Sequence, residues 1–100
     1  NIYKLNSLEV NFSARYLKID NSIINITPKE FEILSYLIRN KGIAISREQL
    51  LSNIWGYDYF GDDRTVDTHI KMLRNNLGVY RNHIITVRSI GYKFVEDEEQ

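Results

Sequence analysis

Residues 64–77, RTVDTHIKMLRNNL, decide the fold of this chain because their apolar residues recur at helical spacing. On a helical wheel at about 100° per residue, four of them form one stripe that a folded domain would bury. They are Val66, Ile70, Leu73 and Leu77. The opposite face carries polar groups and one methionine at its edge: Arg64, Thr68, Lys71, Asn75 and Met72. We predict a helix capped by Asp62 or Asp63 and packed on its apolar stripe.

The polar surface of this helix admits two interpretations. Its guanidinium, ammonium, hydroxyl and amide groups are those that contact phosphates and base edges in a DNA major groove. A solvated helix face has the same composition, which is the ordinary explanation for an isolated helix. One flank carries Thr65, His69 and Asn76, and the other carries Asp67 and Arg74. Asp67 can pair with Arg74 or Lys71, so the helix alone does not decide between the two.

Two further helices are predicted upstream. The stretch TPKE, residues 27–30, supplies a capping threonine, a proline suited to the first helical position and a glutamate that completes a capping box. Gly42 is expected to end this helix in the left-handed conformation. After a short apolar link that can form one strand, residues 46–49 provide a second capping box, and that helix ends at Gly56. Residues 27–78 therefore predict a three-helix core.

The segments on either side of this core have the pattern of strands. Residues 1–26 contain four short stretches rich in β-branched and aromatic residues, separated by plausible turns, which indicates an antiparallel sheet. After a polar connector, residues 84–95 indicate a hairpin whose chain reverses at Arg88, with Gly91 supplying a positive φ. Three helices followed by such a hairpin are typical of an α+β winged helix-turn-helix domain, in which the third helix enters the major groove and the wing an adjacent groove.

Composition and charge narrow the function. The chain has 100 residues, 43% of them hydrophobic, and no cysteine, which suits one domain over residues 1–95. The formal net charge is zero, but residues 61–95 hold six basic and three acidic residues, a balance of +3. The acidic residues 96–100 are expected to form a disordered tail. No apolar run approaches the roughly 20 residues of a membrane span, and we expect a cytoplasmic protein.

Catalysis and metal binding are not supported by any pattern. The chain has no glycine-rich phosphate loop, no nucleophile elbow and no convincing pair of acids, and its serines at 46 and 52 are explained by helix capping and exposure. Two distant histidines without cysteine do not make a metal site. We therefore predict neither an enzyme nor a cofactor.

The stretches ITPKEFEILSYLIRNKG, SREQLLSNIWGYDYFGDDRTVDTHIKMLRNNLG and IITVRSIGYKF, within residues 24–94, resemble the C-terminal effector domain of OmpR/PhoB-type bacterial response regulators. The order and spacing of Trp55-Gly56, DRTVDTHI and TVRSIGY make the resemblance specific. It implies sequence-specific binding of double-stranded DNA as the output domain of a two-component system. It also implies head-to-tail dimers on tandem repeats, and an N-terminal receiver domain, absent from these residues, that a sensor kinase phosphorylates.

The resemblance further implies roles for individual residues. Phosphate contacts fall on Arg64, Thr65, Arg74 and Trp55, although Trp55 can instead belong to the core. The surface facing the bases or the groove holds Thr68, Lys71, Met72 and Asn75, with His69 at the surface or groove edge. The wing contributes Thr86, Arg88 and Tyr92, of which Arg88 is the minor-groove candidate; Thr86 can be an ordinary strand residue, and Tyr92 can pack on the third helix. The loop that faces RNA polymerase in several relatives is Tyr57, Asp58, Tyr59, Phe60, Gly61 and Asp62.

Three departures from the family pattern change this surface, and together they remove about three positive charges from it. Met72 replaces one of two consecutive basic residues, and an apolar contact to a thymine methyl is its natural substitute. Asn75 and Asn76 replace another basic pair, and Ser89 replaces the first glycine of the usual wing turn. We expect weaker non-specific DNA binding than in a typical relative. The alternative function is a winged-helix module for protein contacts in which DNA binding is weak or lost.

Overall fold

A computed structural model describes residues 1–57, 59 and 61–97 of the chain. The predictions made for Asp58, Phe60 and residues 98–100 lie outside the described residues. In the described part, no helix is both long enough and apolar enough to cross a membrane.

The N-terminal sheet is confirmed as four antiparallel strands in sequence order: β1 (Ile2–Leu5), β2 (Leu8–Asn11), β3 (Tyr16–Ile19) and β4 (Ser22–Ile23). Val10 lies opposite Leu17, and Leu8 lies opposite Ile19, so these apolar side chains share one face. Leu8, Val10 and Leu17 are fully buried in the core. The sheet thus covers one side of the helices.

The first helix, α1 (Pro28–Arg39), begins at the predicted cap, but the predicted capping box is only half formed. The Thr27 hydroxyl accepts from the Glu30 backbone N–H at 3.2 Å. The Glu30 carboxylate does not return a bond to the Thr27 backbone; it accepts from the Thr27 hydroxyl at 3.0 Å and from the Asn76 amide at 2.9 Å. Glu30 is buried, and the Asn76 amide of the third helix donates to it. This carboxylate therefore ties the first helix to the third.

The second helix has the predicted start and an unexpected second half. Strand β5 (Ile45–Ser46) leads into α2 (Arg47–Leu50), where Ser46 and Gln49 form both bonds of the capping box. The chain then widens into a π-helical turn (Leu51–Trp55) and ends at Gly56 with φ +107°. The Gly56 N–H donates to the Leu51 carbonyl at 3.0 Å, which closes the wider turn.

The third helix, α3 (Asp63–Leu77), is capped by Asp62, whose carboxylate accepts from the Arg64 N–H at 2.9 Å. The connector that composition suggested was polar is a 3-10 helix (Gly78–His83) that buries Tyr80 and His83. The Tyr80 hydroxyl accepts from the Ser7 N–H at 2.9 Å, so the connector holds the β1–β2 turn. The His83 Nδ1 donates to the Val95 carbonyl at 2.8 Å.

The wing is the predicted hairpin, β6 (Ile84–Val87) and β7 (Gly91–Phe94), and β5 pairs with its inner strand in the order β5-β7-β6. The predicted positive φ at Gly91 is wrong. The residue with positive φ is Ser89, at +66°, in a turn closed by the Ile90 N–H on the Val87 carbonyl. Gly91 is needed for another reason, because a Cβ there would lie 2.1 Å from the Ile45 carbonyl oxygen of β5.

Replacing Gly91 by alanine should therefore separate β5 from the wing. We expect Gly91→Ala to lower the free energy of unfolding by about 3 kcal/mol or more, because the new methyl meets backbone that cannot move aside cheaply. Urea unfolding, followed by the fluorescence of the single tryptophan, measures this loss. Gly78→Ala is the control: its φ is +58° and its Cβ would meet nothing within 4 Å, so only the left-handed strain of about 1–2 kcal/mol applies. Equal losses in the two variants would contradict the steric explanation.

Candidate nucleic-acid interface

The third helix presents the predicted outer face to solvent. The predicted apolar stripe is confirmed, because each of its four residues is at most 1% exposed: Val66, Ile70, Leu73 and Leu77. The opposite side chains are exposed: Arg64, Thr68, Lys71, Met72 and Asn75. Met72 is 44% exposed on this face. The helix thus offers donors and acceptors flanking one apolar contact point.

The wing stands beside this helix because side chains of α3 reach into it. Asp67, on the α3 flank, accepts a hydrogen bond from the Tyr92 hydroxyl of β7. The same carboxylate oxygen accepts from Nε of Arg47, at the start of α2, at 2.8 Å. Neither Arg74 nor Lys71, the partners considered from the sequence, pairs with Asp67. One carboxylate therefore joins α2, α3 and the wing.

Electrostatics at this carboxylate favour its charged form. Burial alone would raise the pKa of Asp67, but the hydrogen bonds from Tyr92 and Arg47 outweigh burial and hold that pKa below its usual value. Burial, followed by the hydrogen bond to the carboxylate, raises the pKa of the Tyr92 hydroxyl. The tyrosine is thus kept as a donor and the aspartate as an acceptor.

Arg74, the second side chain of α3 that reaches the wing, is fixed by two residues of β6. Its Nε and Nη2 donate to the Ile84 carbonyl at 3.0 and 2.8 Å, and Nη2 also donates to the Thr86 hydroxyl at 3.0 Å. Burial lowers the pKa of Arg74, and the charge of Arg81 adds to this effect. Arg74 is therefore committed to the structure, and only part of its guanidinium faces outward.

Tyr92 lies between two guanidinium groups. The Arg47 guanidinium carbon is 5.5 Å from the centre of the ring, and that of Arg74 is 5.4 Å away. Both distances suit a cation–π contact. The residue is only 5% exposed. Tyr92 therefore packs against the third helix, as one of the alternatives drawn from the sequence had it.

A second cluster joins the end of the π-helical turn to α3. The Trp55 ring meets the edge of the His69 ring at 5.1 Å, stacks on Tyr59 at 6.0 Å, and has the Lys29 ammonium 5.4 Å from its centre. The Nδ1 of His69 is 2.7 Å from the Thr65 carbonyl oxygen. A carbonyl only accepts, so Nδ1 carries the proton and Nε2 is the ring nitrogen left for an outside partner. Trp55 is partly buried, and so shares in both core and surface.

The predicted DNA-contacting residues lie on α3, on the end of the π-helical turn and on the wing. They fall into two sets according to their exposure. The exposed set is Arg64, Thr68, Lys71, Met72, Asn75, Thr86 and Arg88. The set whose side chains contact other parts of the domain is Trp55, His69, Arg74 and Tyr92, and Thr65 is half-buried. From the described part of the loop, Tyr57 is 86% exposed, whereas Tyr59 stacks on Trp55. Among the described residues, no three histidine, cysteine, aspartate or glutamate side chains are placed to hold a metal ion.

Sequence reasoning missed Arg47 and Arg81. Arg47 is the first residue of α2, and its partner Asp67 lies twenty positions later in the chain. Arg81 belongs to the connector that composition marked as merely polar. The chain itself holds no local signal for these contacts, because each depends on how separate elements pack.

Comparisons with known proteins agree with this geometry. Residues 20–94 match the family model described as "Transcriptional regulatory protein, C terminal". The chain is 53% identical over 74 residues to the uncharacterized transcriptional regulatory protein YclJ of Bacillus subtilis, covering 73% of this chain and 33% of YclJ. It is 42% identical over 97 residues to the transcriptional regulatory protein SrrA of Staphylococcus aureus, covering 93% of this chain and 40% of SrrA. The chain thus spans between a third and two fifths of these curated relatives.

A solved structure matches nearly the whole fold. It is the RstA DNA-binding domain of Klebsiella pneumoniae in complex with the RstA box, with a TM-score of 0.86 and 29% sequence identity. The match covers 97% of this chain and 99% of the RstA domain. The N-terminal sheet, the helices and the wing are therefore shared by both domains.

The Asp67 carboxylate should make the stability of the domain depend on acidic pH. Because folding lowers its pKa, the stabilisation is complete above the unfolded value of about 3.9 and is lost as pH falls through the folded pKa. Asp67 is 42% exposed, so solvent screening limits its effect, and we expect Asp67→Asn to cost about 1 kcal/mol at neutral pH. This cost should shrink below the folded pKa. Urea unfolding at a series of pH values measures it, with Asp20→Asn on the exposed β3–β4 turn as control; a pH-independent difference for Asp67→Asn would contradict the assignment.

Proposed function

Because the chain belongs to the "Transcriptional regulatory protein, C terminal" family, the effector domain of OmpR/PhoB-type regulators, we propose that it binds double-stranded DNA sequence-specifically to control transcription. The family consists of DNA-binding transcription regulators and not of enzymes. The observation that carries the proposal is the joint presentation of the α3 outer face and the wing tip, held together by Asp67 and Arg74.

In the proposed complex, α3 lies in the major groove, and its exposed side chains make different kinds of contact with the DNA. Arg64, in the first turn of α3, is proposed to contact phosphate through its exposed guanidinium. Lys71, Thr68 and Asn75 can donate hydrogen bonds to base edges or phosphates. Met72 provides an apolar surface that matches a thymine methyl group. Sequence preference then depends on these few side chains.

Arg88 is proposed to enter an adjacent minor groove. It is exposed at the wing turn, next to Ser89. A guanidinium in a narrow A·T-rich minor groove gains from the enhanced negative potential there. Thr65 and Trp55 are proposed to contact phosphates, and His69 is proposed to assist at the groove edge through Nε2. Tyr92 is proposed to act by positioning the wing.

Further roles of the whole protein are also proposals. Consistent with the family, we propose a cytoplasmic response regulator with a receiver domain and a cognate sensor kinase, which binds tandem repeats as a dimer. The exposed Tyr57 and the neighbouring loop, up to Asp62, are proposed to contact RNA polymerase. The second candidate function, a protein-interaction module, is favoured by the net charge of zero and by the exposed Met72. It does not explain why Arg64, Lys71 and Arg88 are all left exposed on α3 and the wing turn.

Selection from a random double-stranded DNA library tests the proposal directly. The purified chain should enrich a recurring half-site, and copies should recur about one helical turn apart if domains bind in tandem. Affinity for the enriched site should fall with salt at a log–log slope of about −4 to −5 for some four to six phosphate contacts. If no motif is enriched either by this chain or by the phosphorylated full-length protein, the protein-interaction module becomes the better explanation.

Replacing Arg88 by alanine should weaken binding to the selected site by about 1–3 kcal/mol if the guanidinium makes a good groove contact. Fluorescence anisotropy with the labelled site measures the change. Arg39→Ala, an exposed arginine on α1 that packs over Phe12 of the N-terminal sheet, removes the same charge away from the proposed interface. An effect of equal size in both variants would mean that general charge, and not the wing contact, is responsible.

Replacing Met72 by alanine should change specificity more than affinity. Loss of an apolar contact to a thymine methyl should relax the preference at one base pair, by about 1 kcal/mol or more, while binding to unrelated DNA stays the same. Repeating the selection with Met72→Ala measures this. An unaltered motif would remove Met72 from the base-reading surface; Ile43→Ala, an exposed apolar residue on the link after α1, is the control.

A further inference from the structure

A polar cleft lies at the base of the wing, between the C-terminal half of α3, the 3-10 helix and β6. Its volume is about 290 Å³. It is lined by Arg74, Arg81, Asn82, Ile84, Ile85 and Thr86. Arg81 and Asn82 were not among the residues expected from the sequence to contact DNA.

Arg74 and Thr86 leave unused donors in this cleft. The Nε and Nη2 groups of Arg74 are used by the Ile84 carbonyl and the Thr86 hydroxyl. Within residues 1–57, 59 and 61–97, its Nη1 donates to no acceptor, which leaves two N–H groups. The Thr86 oxygen already accepts from Arg74, so its own O–H is free to donate outward. The existing hydrogen bonds therefore orient further donors toward the cleft.

Arg81 adds a second positive charge without a compensating carboxylate. It is exposed on the 3-10 helix, near enough for its charge to act on Arg74. The ion pairs found among the described residues involve Lys4, Arg15 and Arg47, and neither arginine of the cleft. Two like charges at one cleft are unfavourable in the free domain, and an anion bound between them would relieve the repulsion.

We propose that Arg81 is a further contact to a phosphate of the DNA backbone at this cleft, beside Nη1 of Arg74 and the Thr86 hydroxyl, two residues whose DNA contacts the family resemblance already implies. This inference rests on the proposed function. When α3 lies in the major groove and the wing enters the adjacent minor groove, the part of the domain between them must cross the phosphate backbone that separates the two grooves. The cleft lies beside α3 at the base of the wing, between the helix proposed for the major groove and the hairpin proposed for the minor groove. Guanidinium and hydroxyl donors without a base-reading geometry suit a phosphate contact, which sets register and carries no sequence information.

Salt dependence of DNA binding tests the site, because each phosphate contact contributes about 0.9 to the log–log slope. The probe is a fluorescein-labelled duplex of unselected sequence, titrated with this chain over a range of salt concentrations. Arg81→Gln should weaken binding about 3- to 10-fold at low salt and reduce the slope by about 0.9. Arg81→Lys keeps the charge and should retain the slope. Arg39→Gln makes the same change of charge on α1, and its slope should equal that of the wild-type chain.

The possible outcomes separate this inference from the proposed function. If the wild-type chain binds the duplex and Arg81→Gln keeps its slope, the phosphate site is overturned while DNA binding stands. If Arg81→Gln keeps its slope on this duplex but lowers cooperativity in a parallel titration of the selected tandem site, the cleft binds a protein carboxylate, and the phosphate site is again overturned. If the wild-type chain binds no duplex at all, both proposals fail. A reduced slope in Arg81→Gln alone, with the thermal unfolding of all variants unchanged, supports the site.

Discussion

The geometry of the proposed interface depends on Tyr92, whose ring lies between the guanidinium groups of Arg47 and Arg74 and whose hydroxyl donates to Asp67. A two-stranded hairpin is at best marginally stable by itself in water. The orientation of the wing must therefore come from the elements against which it packs. The carboxylate provides one attachment, Arg74 provides a second on β6, and the close approach of β5 at Gly91 provides a third. Two of these attachments come from α3 and one comes from β5, and they hold both strands of the wing.

These attachments engage two arginines whose positive charge would otherwise be available to the proposed DNA-binding surface. Arg47 is paired with Asp67, and Arg74 donates three hydrogen bonds to β6 of the same chain. The cations left on the outer side of α3 and the wing tip are Arg64, Lys71 and Arg88. A surface with few free cations binds DNA of any sequence weakly, because the sequence-independent part of affinity comes from phosphate neutralisation. The domain therefore has to obtain more of its affinity from base contacts and from a preformed shape.

The sequence predicted what depends on periodicity and on short capping patterns. The stripe of α3, the Ser46–Gln49 capping box and the four N-terminal strands were all confirmed. The errors arose where the position of a residue depends on a contact with an element distant in the sequence. Glu30 has the sequence spacing of a capping box, yet Asn76 of α3 draws its carboxylate inward. Gly91 looked like a turn glycine, whereas the limiting contact is with β5, and the turn strain falls on Ser89. The partner of Asp67 could not be found locally, since Arg47 and Tyr92 approach it from opposite directions along the chain.

A rigid connection between α3 and the wing has a consequence for recognition. The spacing between the helix and the wing tip is set by the protein, so a bound duplex must present its major and minor grooves at that spacing. Sequences whose groove width fits, or that deform at low cost, are then favoured even at base pairs that no side chain touches. This shape selection adds to the few direct contacts available from Thr68, Lys71, Met72 and Asn75. It needs no additional charge, so a chain with zero net charge can still discriminate among sites while binding unrelated DNA weakly.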